Sequence, residues 1–391
     1  MKKPALQEML TSLIATPSVS CTSADLDMSN RDVINLLAEW LEDVGFSVEI
    51  LSVPEHPGKF NLIGTLGKGT GGLVLSGHTD TVPFDDNHWT HDPFRMTEKN
   101  NRFYGLGSAD MKSFLALAIE AAAQFDAEQF QHPLIILATA DEETAMSGAR
   151  ALCTADLEHG RYAVIGEPTG LRPIRQHKGV MMEAVILRGQ SGHSSNPELG
   201  NNALEGMHTV MAELLHFRKE LQQRHHDPAF AIPVPTMNFG HIHGGDNPNR
   251  ICGECELHLD LRPLPGMQIE TLRKELHQRV KSIAQPLGLV CEFKPLFAGI
   301  DAMQTAATSP IVTATESLTG FASDSVAFGT EGPYLNQLGI ETVILGPGSI
   351  DQAHQPDEFL ALDQIKPTIK VLRQLIDAFC IGGSPTVETR I

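Results

Sequence analysis

The sequence is short of several things at once. No stretch of its 391 residues reaches the roughly 18 consecutive apolar side chains that a membrane-spanning helix needs, so it predicts no membrane partner. Lys2 and Lys3 imitate the start of a signal peptide, but Gln7 and Glu8 interrupt any apolar core behind them. Cysteine is sparse and scattered. Six cysteines in a chain this long form no disulfide framework, and they predict a reducing, cytoplasmic setting. Positive charge is short as well. With 29 Lys and Arg against 48 Asp and Glu, the formal net charge of −19 argues against nucleic acid or an anionic lipid surface as partner. Low-complexity tracts are missing, which leaves a globular chain long enough for two domains.

What is present is a set of short apolar runs, each followed closely by an acid or a histidine. Leu73-Val74-Leu75 reads as a buried strand and leads into Ser76-Gly77-His78-Thr79-Asp80-Thr81-Val82-Pro83. His78 and Asp80 are two apart and point the same way in extended chain. A carboxylate so placed can accept the second N–H of a metal-binding imidazole. Leu134-Ile135-Ile136-Leu137 precedes Asp141-Glu142-Glu143, three adjacent acids that repel one another unless they are solvated or meet a cation. Ala163-Val164-Ile165 precedes Glu167, and Thr342-Val343-Ile344-Leu345 leads through Gly346-Pro347-Gly348 to His354. Asp110, between Gly105-Leu106-Gly107 and an Ala- and Leu-rich helix over 114–125, reads equally well as a helix N-cap or as a ligand. In open α/β sheets, sites form outside the carboxyl ends of strands. Two imidazoles and three carboxylates meeting there suit a pair of zinc-like ions.

The rest of the chain predicts an amphipathic helix over 31–45, closed by Gly45, and a last helix over 365–381. Residues 179–292 have a different character. Strands over 181–188, 236–241, 251–262 and 289–293 alternate with helices over 202–222 and 269–284, with Leu204, Met207, Met211 and Leu214 inward on the first helix. That is the β-α-β-β-α-β order of a ferredoxin-like α+β domain. It predicts an insertion at 179–292 in a discontinuous domain of residues 1–178 and 293–391. Cys252 and Cys255, three apart in a predicted strand, are expected on opposite faces and not as a metal pair. The tail from Gly382 reads as loose. His88 and His91 read as surface loop histidines.

These residues resemble the co-catalytic di-zinc superfamily of glutamate-releasing carboxypeptidases, aminoacylases, succinyl-diaminopimelate desuccinylases and acetylornithine deacetylases. The resemblance runs from the Ser76–Pro83 stretch to Gln355-Pro356-Asp357-Glu358. Four stretches are similar to the acetylornithine deacetylase branch: residues 77–86, 139–144, 323–331 and 345–350. The resemblance implies an α/β catalytic domain of the di-zinc exopeptidase type, with a mixed sheet flanked by helices, and an inserted domain through which two copies dimerise. It implies one metal on His78, Asp110 and Glu167 and a second on Asp110, Glu143 and His354. Zinc is the expected ion, with cobalt able to substitute. It further implies Asp80 behind His78, Glu142 as general base, a cis Asp110–Met111 peptide and His193 reaching the scissile carbonyl of the partner's site. Asn249 and Arg262 match positions that hold the substrate carboxylate. The implied reaction is removal of acetate from N2-acetyl-L-ornithine in arginine biosynthesis. A desuccinylase, aminoacylase or dipeptidase with the same metals, or a metal-binding homologue without catalysis, is the alternative.

Overall fold

The computed structural model describes residues 3–84 and 87–382. Asp85 and Asp86 of the 77–86 stretch, and the tail from residue 383, lie outside the described residues. The chain forms two units. One holds residues up to Arg175, Thr305–Asp324 and the chain from Glu331 on; the other holds Gln176–Gln304 and Ser325–Thr330.

The first unit is built on a mixed sheet. The strands Ser47–Ser52, Phe60–Leu66, Leu134–Thr139, Gly72–His78, Gly160–Pro168 and Glu341–Gly346 lie side by side in that order. The first two pairings are antiparallel and the remaining three are parallel. Every residue of Gly72–His78 and of Leu134–Thr139 is buried, which is why both read as unbroken apolar runs and not as alternation. Helix Lys112–Ala122 is buried along almost its whole length, so its Ala-rich composition is that of a packed interior element. Helix Arg31–Val44 is amphipathic, with Val33, Ile34, Leu37, Trp40 and Leu41 inward, and Gly45 ends it at φ 99°. The last helix runs from Ile365 to Ile376 and continues as a wider turn to Ile381.

Register fixes where the parallel strands stop. His78 is paired with Thr139, and Ile165 with Ile344, so the carboxyl ends of four strands share one edge. Gly166 keeps that edge tight. A methyl group on it would lie 2.0 Å from Cγ of Phe114, on the helix that follows Asp110. The bare backbone at Gly166 thus sets how closely the strand carrying Glu167 approaches the helix behind Asp110.

In the second unit the strands Thr236–Gly244, Glu254–Arg262, Met181–Arg188 and Val290–Pro295 form an antiparallel sheet in that order. Helices Ala203–Arg224 and Ile269–Ala284 pack against it around a core that includes Met207, Leu214, Phe217, Leu257 and Leu276. This is the ferredoxin-like arrangement. The unit spans Gln176–Gln304 with Ser325–Thr330, beside the expected 179–292, and its last strand pairs from Val290 through Pro295. Two expectations need correction. Leu204 is exposed, since the buried stripe runs through Ala203, Met207, Val210 and Leu214. Cys252 and Cys255 both join the same core, because the strand begins only at Glu254 and Cys252 precedes it. All six cysteines are free thiols. Among the described residues no helix is long and apolar enough to cross a membrane.

Gly166→Ala is expected to lower stability by roughly 1–3 kcal/mol, the usual range for overpacking. Phe114→Leu in the same chain should recover part of that loss. Urea unfolding of both single variants and the double variant checks this, and strictly additive losses would remove the contact from the explanation.

Candidate metal centre

The shared strand edge gathers the acids and imidazoles. His78 closes its strand, and its Nε2 lies 3.1 Å from Oδ1 of Asp110 and 3.9 Å from Oε1 of Glu167. His354, exposed and held at φ 61°, has its Nε2 2.9 Å from Oε2 of Glu143 and 3.6 Å from Oδ2 of Asp110. Asp110 therefore presents one oxygen towards each imidazole. The peptide between Asp110 and Met111 is cis. Helix Lys112–Ala122 starts after Met111 with no side-chain cap, so Asp110 is not an N-cap.

Two overlapping triads bring their ligand atoms within 4.8 Å of one another: His78 with Asp110 and Glu143, and His78 with Glu142 and Glu167. Glu142 thus stands inside the donor cluster together with the residues expected to ligate. The three adjacent acids are separated by one backbone twist. Asp141 takes φ 62°, and its carboxylate turns back to accept from Thr144 and, at 2.7 Å, from Ser147. Glu142 and Glu143 are left facing the cluster.

Two further acids hold the cluster's loops by their main chain. Asp80 was expected to accept from His78 through its carboxylate. Instead Nδ1 of His78 lies 3.0 Å from the main-chain oxygen of Asp80 and 3.7 Å from Oδ1. The Asp80 carboxylate accepts from the N–H groups of Glu142 and Glu143, each at 3.2 Å. These two donors flank it because the left-handed turn at Asp141 points them inward. Glu358, buried, accepts from the N–H groups of Ala109 at 2.6 Å, Asp110 at 2.9 Å and Gly107 at 3.0 Å, and so carries the loop of Asp110. In the sequence Glu358 is marked only as an acid directly before the apolar run Phe359-Leu360-Ala361. Lys112 was missed too: its buried Nζ donates to the carbonyls of Leu13 at 2.7 Å and Thr16 at 3.1 Å. Glu331 is buried beside Thr139, whose hydroxyl donates to it at 2.8 Å.

Burial and mutual repulsion dominate the electrostatics. Burial, then the charge of Glu167, raises Glu142 well above the usual carboxylate range. Burial, then Asp110, does the same to Glu167 and lifts Glu143 to about 7. Burial takes Glu331 to about 7 and, with the Asp110 charge, Glu358 to about 8. Burial opposes a charge on His78, but the Asp110 hydrogen bond and the surrounding carboxylates outweigh it and hold the imidazole well above its ordinary value. For Asp110 burial is outweighed by His78 and His354, and the group is lowered. Three raised carboxyl groups gathered with Asp110 and two imidazoles ionise more readily when positive charge is supplied, which fits divalent cations, and the oxygen and nitrogen donors suit zinc-like ions.

The remaining candidates lie in the second unit. His193 Nδ1 accepts from the N–H of Ser195 at 3.2 Å, and Ser194 N–H donates to the carbonyl of Asn249 at 3.1 Å, so the loops of His193 and Asn249 meet. Arg262 ends its strand, with Nε 3.0 Å from both carboxylate oxygens of Asp260.

The sequence from residue 74 to 378 matches the model of peptidase family M20/M25/M40. The chain belongs to this family. Among its relatives, the acetylornithine deacetylase of Proteus mirabilis is 50% identical over 382 residues, spanning 98% of each chain. That of Photorhabdus laumondii is 47% identical over 384 residues, spanning 98% of this chain and 100% of the relative. Two solved structures share the family fold at lower identity. A tripeptidase from Staphylococcus aureus superposes with a TM-score of 0.75 at 19% identity, covering 96% of this chain and 97% of the other. An M20 family metallo-carboxypeptidase from Sulfolobus solfataricus gives 0.73 at 17%, covering 96% and 99%.

Carboxyl groups with raised pKa values hold protons that a metal must displace. Zinc binding below pH 7 is therefore expected to release protons and to tighten as pH rises. The gain should flatten once pH passes the raised values, with Glu143, at about 7, among the first to be exhausted. Calorimetric titration in buffers of different ionisation enthalpy reads the protons directly. Equal heats in all buffers at pH 6.5 would contradict this account of the cluster.

Proposed function

We propose that this protein is a metal-dependent amidohydrolase of the cytoplasm that cleaves N2-acetyl-L-ornithine to L-ornithine and acetate, a step of arginine biosynthesis. The observation that carries the reading is the identity of 50% and 47% over nearly the whole chain with two acetylornithine deacetylases. The donor cluster supplies chemistry suited to it. His78, Asp110 and Glu167 would hold one divalent ion, and Asp110, Glu143 and His354 the other, zinc first and cobalt as a substitute. Such ions supply Lewis acidity towards the acetyl carbonyl and acidify a water.

The protein's own groups do the rest. Glu142 takes a proton from the water as its oxygen attacks the acetyl carbon, and gives it to the amine as the C–N bond breaks. Glu142 lies in the same donor cluster as His78 and Glu167, which places one carboxylate for both transfers. Asp80 holds the backbone of Glu142 and Glu143, and Glu358 holds that of Asp110, so the acids stay in place as charge moves. His193 donates to the developing oxyanion. Asn249 and Arg262 bind the substrate carboxylate, which in Arg262 means exchanging the Asp260 partner for the ligand. The protein acts as a homodimer joined through the second unit, and His193 serves the partner's site.

Turnover of acetylornithine, acetylmethionine and succinyl-diaminopimelate by one preparation tests the substrate. Acetylornithine should have the highest kcat/KM, and a preference for either of the others would reassign the enzyme. Glu142→Ala should lower kcat by about 10²- to 10⁴-fold while leaving the bound metal unchanged. Loss of a metal equivalent in that variant, with none lost in Glu143→Ala, would reverse their roles.

The role of His193 across the dimer is checked by mixing His193→Ala with Glu142→Ala under conditions that exchange subunits. One working site should reappear in each mixed dimer. No recovery despite demonstrated exchange would place His193 in its own subunit's site.

A further inference from the structure

Beside the cluster, within the first unit, lies a cavity of about 250 Å³ whose walls include Val82, Phe84, Trp89, Leu106, Pro356 and His354. None of these walls has a part in the chemistry described above except His354, whose Nε2 lies 2.9 Å from Glu143. The cavity therefore opens one imidazole away from the donor cluster. Its two sides are fastened together. Asp357 accepts from the N–H and hydroxyl of Thr90 at 2.9 and 2.7 Å and from the N–H of His91 at 3.2 Å. That clamp joins the loop of Trp89 to the segment of His354. Phe84 is held edge-on to Phe94 at 4.9 Å. The pocket is formed before any ligand arrives.

From these features we infer that the cavity is the subsite for the acyl arm of the substrate, and that Val82 and Trp89 set which acyl groups are accepted. The inference rests on the amidohydrolase reading. Three arms leave the scissile amide of an N-acylornithine: the α-carboxylate, the side chain with its ammonium, and the acyl group. Only the acyl group is neutral and apolar. Among the described residues that line the cavity, His88 and His354 alone are ionisable, and no carboxylate is present to pair an ammonium. An ammonium would lose its water here facing two imidazoles and no carboxylate among the described lining, and the α-carboxylate is already given to Asn249 and Arg262. The volume is also several times that of a methyl group, if a methyl is taken as about the size of a water at ~30 Å³. Acyl chains longer than acetyl have room.

The test compares kcat/KM across N2-acetyl-, N2-propionyl- and N2-butyryl-ornithine, and separately across acetylornithine and acetylnorvaline, which vary only the amino-acid arm. The wild type should hydrolyse all three acyl homologues. Val82→Phe fills the cavity and should lower the butyryl-to-acetyl ratio by about tenfold or more, a step typical of one or two methylenes in an apolar pocket. Trp89→Ala removes a wall and should lower the same ratio by lost contact. The ornithine-to-norvaline ratio should stay within about twofold in both variants, since a methylene-scale change at the acyl arm does not reach the other arm. Circular dichroism and thermal melts show whether each variant is folded, and the smaller Val82→Leu replaces Val82→Phe should the latter unfold. An unchanged acyl ratio, or an equal shift in the amino-acid ratio, overturns the assignment. If the wild type does not cleave acetylornithine, the deacetylase reading falls first; the acyl series is then run on N-acylmethionines, where the same ratios decide the pocket.

Discussion

Like charges forced together out of water set the terms for the first unit. Asp110, Glu142, Glu143 and Glu167 share a small volume with His78, and burial raises three of the four acids above their ordinary range. Two imidazoles do not balance four carboxyl groups, so the raised acids hold protons until a cation replaces them, and the fold must keep them in place in either state. It does so through the main chain. The carboxylate of Asp80 grips two N–H groups under Glu142 and Glu143, and that of Glu358 grips three under Asp110. In each case a peptide dipole lies between one acid and the next. A lysine in the same place would neutralise charge that a cation is meant to neutralise. An acid acting through N–H groups fixes position and leaves the cluster's appetite for positive charge intact.

The strand ends supply the rest of that rigidity. Three consecutive parallel pairings bring His78, the acids after Thr139 and Glu167 to one edge, and the loop after Gly346 returns His354 to it. Gly166 permits the close contact with Phe114 that ties the strand edge to the helix behind Asp110. The packing and the site are thus the same set of contacts seen from two sides.

Much of this was legible in the sequence because it rests on local patterns. Apolar runs followed by acids or histidines are visible one segment at a time, and strand polarity then sends them to one edge. The ferredoxin-like order of the second unit was legible for the same reason, from alternating periods of two and 3.6. What was not legible depends on backbone turns. The twist at Asp141 decides which of three adjacent acids faces away, and it redirects Asp80 from His78 to two main-chain donors. Glu358 looks like an ordinary acid before a short strand until Gly107, Ala109 and Asp110 are folded over it. Cys252 was misplaced because a strand boundary moved by a few residues, which is enough to change the face a side chain occupies.

The order of the chain has a consequence for how the protein is made. His78 and Asp110 emerge early in synthesis, whereas Glu358, which carries the Asp110 loop, and His354 come near the end, after the whole second unit. The strand Glu341–Gly346, which completes the parallel edge, is equally late. A nascent chain therefore carries its acids for most of its synthesis without the contacts that organise them. The second unit, nearly continuous in sequence, can gather its core while the first still waits for its last quarter. Contacts between such distant segments close slowly. The interval exposes apolar strands such as Gly72–His78, so this is the stage at which the molecule is most open to aggregation or to a chaperone.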